Sequence, residues 1–143
     1  MKINKKNSLG AAKTAAHFFL GDEMFSKVVT PRFGDIDGLR HINNCVIPQW
    51  FEQARNPLFE IFVPDLSLDP SNWNMIMAHI DFDFLGQMYF GTDVQIRTYI
   101  SKIGNSSFHL YQQALQNDKL CVEGNAVIVH YDFSLQKAVR IPD

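Results

Sequence analysis

Residues 44–62 read NCVIPQWFEQARNPLFEIF, with Ile47, Trp50, Phe51, Ala54, Leu58, Ile61 and Phe62 recurring at three- and four-residue spacing. Gln49, Glu52, Gln53, Arg55 and Glu60 fill the positions between them, so the apolar side chains form one stripe of an α-helix. Asn43 or Asn44 offers a capping oxygen, and Pro48 lies in the first turn, where a missing N–H costs little. Pro57 is expected to kink the helix or restart it. Glu52 and Arg55, three residues apart, are expected to pair on its exposed surface.

Downstream the period changes. In IMAHIDFDF (residues 76–84), Ile76, Ala78, Ile80, Phe82 and Phe84 alternate with Met77, His79, Asp81 and Asp83, which predicts a strand with one apolar and one polar face. Val94, Ile96, Thr98 and Ile100 alternate in the same way with Asp93, Gln95, Arg97 and Tyr99. Residues 107–114 and 121–133 complete the set, joined by polar turns at Gly104-Asn105 and Gln116-Asn117-Asp118. Upstream, residues 25–33 are extended in character through Val28, Val29 and Thr30, with Pro31 confining them to an edge or a strand end. Residues 63–74, with two prolines, read as a surface connection. The expectation is one strand, one long helix and then a four-stranded meander. Burying the helix's apolar stripe requires the sheet to wrap around it, giving an α+β fold with an antiparallel sheet around one long central helix.

The remaining sequence narrows the classes. A chain of 143 residues with 46% hydrophobic and 20% charged residues is a folded domain of ordinary size. Thirteen basic against fifteen acidic side chains leave no electrostatic footprint for nucleic acid. Two cysteines, Cys45 and Cys121, are too few for a disulfide framework, and a reducing, cytoplasmic setting is expected. Lys2, Lys5 and Lys6 ahead of residues 9–20 faintly resemble a signal peptide, but Lys13, Thr14 and His17 interrupt the apolar run. Residues 1–23 are therefore read as an N-terminal extension, a short helix or an arm, and residues 24–143 as a single domain. No window approaches the roughly 18 apolar residues of a membrane span, so no membrane is expected as partner. The histidines are scattered, so neither a metal nor a cofactor is expected, and lipase-elbow, P-loop, Rossmann and zincin motifs are absent.

Chemistry concentrates in residues 33–44, FGDIDGLRHINN, where two carboxylates and a histidine precede a helix start. Unpaired N–H groups of about residues 44–47, with the positive end of the helix dipole, can polarise a carbonyl. A carboxylate beside them can attack that carbonyl or deprotonate a water. The same residues also suit plain loop formation and capping. Asp35 and Asp37, two apart in extended chain, should face opposite ways, and either could be the acting group. Cys45, in the first turn and four residues from His41, is either a reactive thiol or a small hydrophobe. Trp50, Phe84, Phe90 and Phe108 can line an apolar pocket or simply fill the core. His79, Asp81 and Asp83 form a polar strand face turned to solvent or to another subunit.

Three runs carry a resemblance: Arg32-Phe33-Gly34-Asp35-Ile36-Asp37, His41-Ile42-Asn43-Asn44 and Trp50-Phe51-Glu52-Gln53-Ala54-Arg55. Together they resemble the signature of hotdog-fold thioesterases of the 4-hydroxybenzoyl-CoA and acyl-carrier-protein thioesterase group. Phe90-Gly91-Thr92-Asp93 and Ile103-Gly104-Asn105-Ser106-Ser107-Phe108 extend the likeness over about residues 24–142. The resemblance implies a hotdog fold, hydrolysis of acyl-CoA or acyl-ACP thioesters, and a homodimer or homotetramer with the active site at the subunit interface. It puts the catalytic carboxylate on Asp37 and the helix-end amide on Asn44, with His41 and Asn43 positioning the loop or the water. Arg40 stands where members usually carry glycine, and it is either a contact for coenzyme A phosphates or a solvent-facing cation. Arg40, Cys45 and Trp50 are the substrate-binding candidates. Leu39 occupies the position of an asparagine used in one branch. A non-catalytic acyl-thioester binding module is the alternative reading, and a hotdog hydratase or dehydratase is the less favoured one.

Overall fold

The computed structural model describes residues 25–69 and 71–143; the expected extension, its signal-like run and the boundary before residue 24 lie outside them. Strand β1 spans Phe25–Val29, followed by single 3-10 turns at Phe33–Asp35 and Asn44–Val46. Helices α1 (Ile47–Ala54) and α2 (Asn56–Phe62) come next, then β2 (Met75–Phe84), β3 (Val94–Ile103), β4 (Ser107–Gln116), β5 (Lys119–Asp132) and the short β6 (Lys137–Ala138). Extended chain was expected through residue 33, but β1 ends at Val29 because Pro31 and the Arg32–Asp35 turn leave the ladder.

The sheet is antiparallel in the order β1-β3-β4-β5-β2, with β6 added to β5. The four-stranded meander is thereby corrected: β3, β4 and β5 form one, but β2 lies across the sheet beside β5. Residues 85–93 provide enough chain to cross two intervening strands, a distance of roughly 14 Å at about 4.8 Å per strand. The phase of β2 also differs from the expected alternation. Met75 and Met77 pair with His130 and Ile128, a β-bulge follows between Met77 and His79, and Phe82 then packs edge-on against Phe51 with ring centroids 5.3 Å apart. The extra residue switches the face, so Ile76 and Ala78 do not belong to the same apolar row as Phe82. Ala78 is exposed, and Met77, Ile80 and Phe84 are 38%, 39% and 51% exposed along this edge strand.

The helix restarts as Pro57 requires. Arg55 alone separates α1 from α2, its backbone still in the right-handed helical region at φ −86° and ψ −10°, and Pro57 occupies the first turn of α2. On the concave face α1 contributes Ile47, Trp50, Phe51 and Ala54 to a cluster with Val94, Ile96, Ala114 and Val122. A second cluster holds Leu58 of α2 with Phe108, Leu110, Ala126 and Ile128. Near the helix break, cross-strand register forms a row of Thr98, Gln112, Gly124 and Phe82. Gln112 donates Nε2 to the Phe51 carbonyl at 3.1 Å and to Thr98 Oγ1 at 3.0 Å, and Arg55 Nη1 donates to Gln112 Oε1 at 3.0 Å. A side chain of the sheet thus bonds one of the last carbonyls of α1, where the ladder runs out. The expected Glu52–Arg55 surface pair is replaced: Arg55 is 2% exposed and turned into the core, while Glu52 stays at the surface. Gly124 allows the helix to sit this close, since a Cβ there would lie 2.5 Å from the Asp81 carbonyl oxygen and 3.3 Å from Phe51. The architecture is the hotdog fold, an antiparallel sheet curled around a central helix, here delivered in two segments.

Candidate active site

The two aspartates of the loop have separate fates. Asp35 is 1% exposed; its carboxylate accepts from Arg32 N at 2.8 Å and Arg32 Nη2 at 3.1 Å. Burial pushes its carboxyl up, but the Arg32 hydrogen bonds and charge outweigh this and hold it below the usual carboxylate value. Both of its oxygens are engaged, and its own carbonyl accepts from Asn43 N at 2.7 Å, fastening the two ends of the loop together.

Asp37 is half-buried on the opposite side of that fastening. Its Oδ1 accepts from Leu39 N at 2.8 Å and from His41 N at 3.1 Å, and its backbone N–H donates to the His41 carbonyl at 2.8 Å. An Ile36–Ile42 bridge closes the loop behind it. One carboxylate oxygen is thus anchored by two amides, while among the described residues nothing bonds Oδ2, and Asp37 is not among the residues that line the Asn44 cleft. Arg40, exposed, has φ 65°, the left-handed conformation that glycine adopts without strain. The loop therefore keeps a glycine-like bend at the position where the resembling family carries glycine.

Asn43 caps the following turn, its Oδ1 accepting from Cys45 N at 3.0 Å, and its carbonyl accepts from Val46 N at 3.1 Å. The Asn44 N–H stands ahead of these bonds and has no acceptor among the described residues. Asn44, Ile42 and Ile47 face a cleft of about 400 Å³ whose far wall is the Phe84–Tyr89 stretch with Lys119 and Val122. The His41 ring packs edge-on against Tyr89 at 5.4 Å, and the Ile42 N–H donates to the Met88 carbonyl at 2.8 Å.

Asp37, Arg40, His41, Asn43, Asn44 and Cys45 are thus gathered in one loop and turn. Cys45 is exposed, its thiol 3.4 Å from Asn44 Oδ1, with no hydrogen bond to His41 among the described residues. Trp50 is not part of this cleft; it is 6% exposed in the α1 cluster, bordering a separate hollow with Val29, Arg32 and Asp35. Phe84 borders the Asn44 cleft, Phe108 is core, and Phe90 stacks edge-on with Phe33 at 6.1 Å. His79 and Asp81 pair at 2.8 Å on the exposed side of β2. Sequence reasoning missed Met88, Tyr89 and Lys119, which arrive from the β2–β3 crossover and the β4–β5 turn. Only the strand order brings them near residues 41–44, so no local signal could have found them. Among the described residues, no three His, Cys, Asp or Glu stand close enough to hold a metal, and no helix is long and apolar enough to cross a membrane.

A curled antiparallel sheet on a central helix defines a hotdog protein, here with a loop bearing two carboxylates running into the helix start. The family model of the thioesterase-like superfamily matches residues 31–143, and the chain belongs to that superfamily. It is similar to a predicted thioesterase from Bacillus stearothermophilus, with 40% identity over 83% of this chain and 88% of that one and a TM-score of 0.80. It is also similar in fold to a thioesterase from Thermus thermophilus complexed with coenzyme A and Zn (24% identity, 85% of this chain and 93% of that one, TM-score 0.74). A third similar fold is that of a hypothetical protein from Staphylococcus aureus in complex with CoA (16% identity, 82% and 76%, TM-score 0.73). A comparison with curated proteins finds no match.

Proposed function

We propose that this protein hydrolyses an acyl thioester to a carboxylic acid and a thiol, with acyl-CoA as substrate and acyl carrier protein as the alternative carrier. The observation that carries the reading is Asp37, whose Oδ1 is fixed by the Leu39 and His41 amides while Oδ2 has no hydrogen-bond partner among the described residues, on the loop that leads to the Asn44 N–H, which has no acceptor among them either. Membership of the thioesterase-like superfamily supports it, as do the coenzyme A complexes of two similar folds.

In the reaction Asp37 Oδ2 attacks the thioester carbonyl, or takes a proton from a water that does so. Either way the carbonyl oxygen gains charge, which the Asn44 amide at the helix start stabilises. Collapse expels the thiolate. In the nucleophilic route an acyl–Asp37 anhydride remains, and water cleaves it. Asn43 holds the turn, and His41, braced on Tyr89, positions the loop or the water. Arg40 is assigned to the carrier's phosphates and Cys45 to substrate contact from the exposed turn beside Asn44, while Trp50 supports the site from the α1 cluster. Residues 24–143 act as one domain in a cytoplasmic setting, as a homodimer or homotetramer with the site at the subunit interface. The long edge strand β2, with Met77, Ile80 and Phe84 exposed, supports pairing with another copy.

The test is thiol release from short, long and aromatic acyl-CoAs by the parent and by Asp37→Asn. Asparagine retains Oδ1 as acceptor for both amides but removes the charge, so turnover should fall by about 10²- to 10⁴-fold with the fold intact. Unchanged hydrolysis in the variant would refute the role of Asp37. Binding of acyl-CoA without any turnover would favour the non-catalytic module. Light scattering that finds only a monomer would remove the interfacial site.

A further inference from the structure

Gln116, the last residue of β4, is 5% exposed, and its side-chain amide is wholly engaged by the backbone of the β2–β3 crossover. Its Oε1 accepts from Tyr89 N at 2.8 Å, and its Nε2 donates to the carbonyls of Tyr89 at 2.8 Å and Thr92 at 2.9 Å. Gly91, at φ 93°, lies in the bend between those two carbonyls. An amide of this length is the side chain that offers one acceptor and two donors together. Residues 85–93 belong to no strand, so these bonds stand in for the ladder that the crossover lacks.

The anchored segment grips the carboxylate loop at four points. The Met88 carbonyl accepts from Ile42 N at 2.8 Å, the Tyr89 ring braces the His41 ring at 5.4 Å, Phe90 packs edge-on against Phe33 at 6.1 Å, and Asp93 Oδ1 accepts from Thr30 Oγ1 at 2.8 Å. Thr30 and Phe33 precede Asp37 in the chain, and His41 and Ile42 follow it, so the crossover holds both arms of the loop. Gln116 does not line the Asn44 cleft, whereas Met88 and Tyr89 do. It acts on the site through them.

We propose, resting on the thioester hydrolysis read above, that Gln116 is a positioning residue for that reaction: by fixing Tyr89 it holds the His41 ring in place beside the Asp37 loop.

Gln116→Met keeps the length of the side chain and removes all three bonds. NMR of the histidine rings in the full chain tests the geometry without reference to turnover. The His41 ring signals should shift and broaden in the variant, while those of His130, packed on Phe62 of α2, stay in place. Gln116→Glu, which keeps the shape and the acceptor but not the donors, serves if the methionine variant does not fold, with the same displacement of the His41 signals expected. Thiol release from acyl-CoA by the parent, Gln116→Met, His41→Ala and the double variant then closes a cycle. Gln116→Met should lower kcat about 10- to 100-fold in the parent, as a misplacement on the order of 1 Å does. With His41 already replaced it should lower kcat by about threefold or less, because the two residues act as one unit. Unmoved His41 signals in a folded variant, or an equal loss of kcat in both backgrounds, overturns the proposal. Hydrolysis unaffected by Asp37→Asn would instead remove the reaction assigned to the site, and the His41 signals alone would then decide whether Gln116 sets that ring.

Discussion

Replacing Gln112 by leucine tests the polar row beneath the helix break. Leucine is close to glutamine in size, so the change removes hydrogen bonds more than volume. Arg55 loses its one acceptor, the Phe51 carbonyl loses its side-chain donor, and the Thr98 hydroxyl loses a partner. A hydrogen bond to a charged group contributes about 1.5–3 kcal/mol, and each buried polar group left unmade costs about 1–3 kcal/mol. Added apolar contact offsets part of this, leaving an expected loss of about 3–5 kcal/mol, in line with stranding a buried charge. A domain with about 5–15 kcal/mol of stability would remain folded enough to measure. Urea denaturation should give a lower midpoint at an unchanged slope. The double variant Gln112→Leu with Arg55→Leu should recover part of the loss, since both partners are then apolar. A single variant within about 1 kcal/mol of the parent, or a double variant that only adds further damage, would refute the claim that Gln112 satisfies the buried guanidinium.

Asp35 gives a pH-dependent prediction: its folded carboxyl lies below the unfolded value of about 3.9, so its contribution is present above that pH and is lost as the pH falls through the lower folded value. Asp35→Asn should lower stability at pH 7 and flatten the acid limb below about pH 4, as followed by urea denaturation across that range. Gly124→Ala would force a Cβ to 2.5 Å from the Asp81 carbonyl oxygen, and a loss of about 1–3 kcal/mol is expected from the denaturation midpoint. Arg40→Gly relieves a left-handed residue worth about 1–2 kcal/mol but loosens the unfolded chain, so thermal melts should find stability unchanged or raised by up to about 1 kcal/mol.

The helix and the strands could be read from sequence because each is written in its own period, and Pro57 marked the restart. Strand order could not, because the β5 partners of β2 lie 38 to 55 residues away and a crossover of this length permits several neighbours. The phase of β2 was hidden by a bulge, which leaves no mark on composition. Arg55 was misread as a surface residue because i,i+3 charge spacing is local, while its burial depends on Gln112 from β4. The site loop was legible as a carboxylate run before a helix start. Its division of labour was not, since only the fold shows that Arg32 engages both oxygens of Asp35 and leaves Asp37 to the amides of its own loop.

The break at Arg55 also bears on motion. With α1 and α2 seated on separate apolar clusters and meeting at Arg55, the second helix is expected to open in a sub-global event that leaves the first in place. Amide protons of Phe59–Val63, including the Val63 N–H bonded to the Phe59 carbonyl, then exchange through a lower-energy event than those of α1. Such an event admits solvent to Arg55 from one end of the molecule, while the turn that carries Asn43 and Asn44 stays docked at the other.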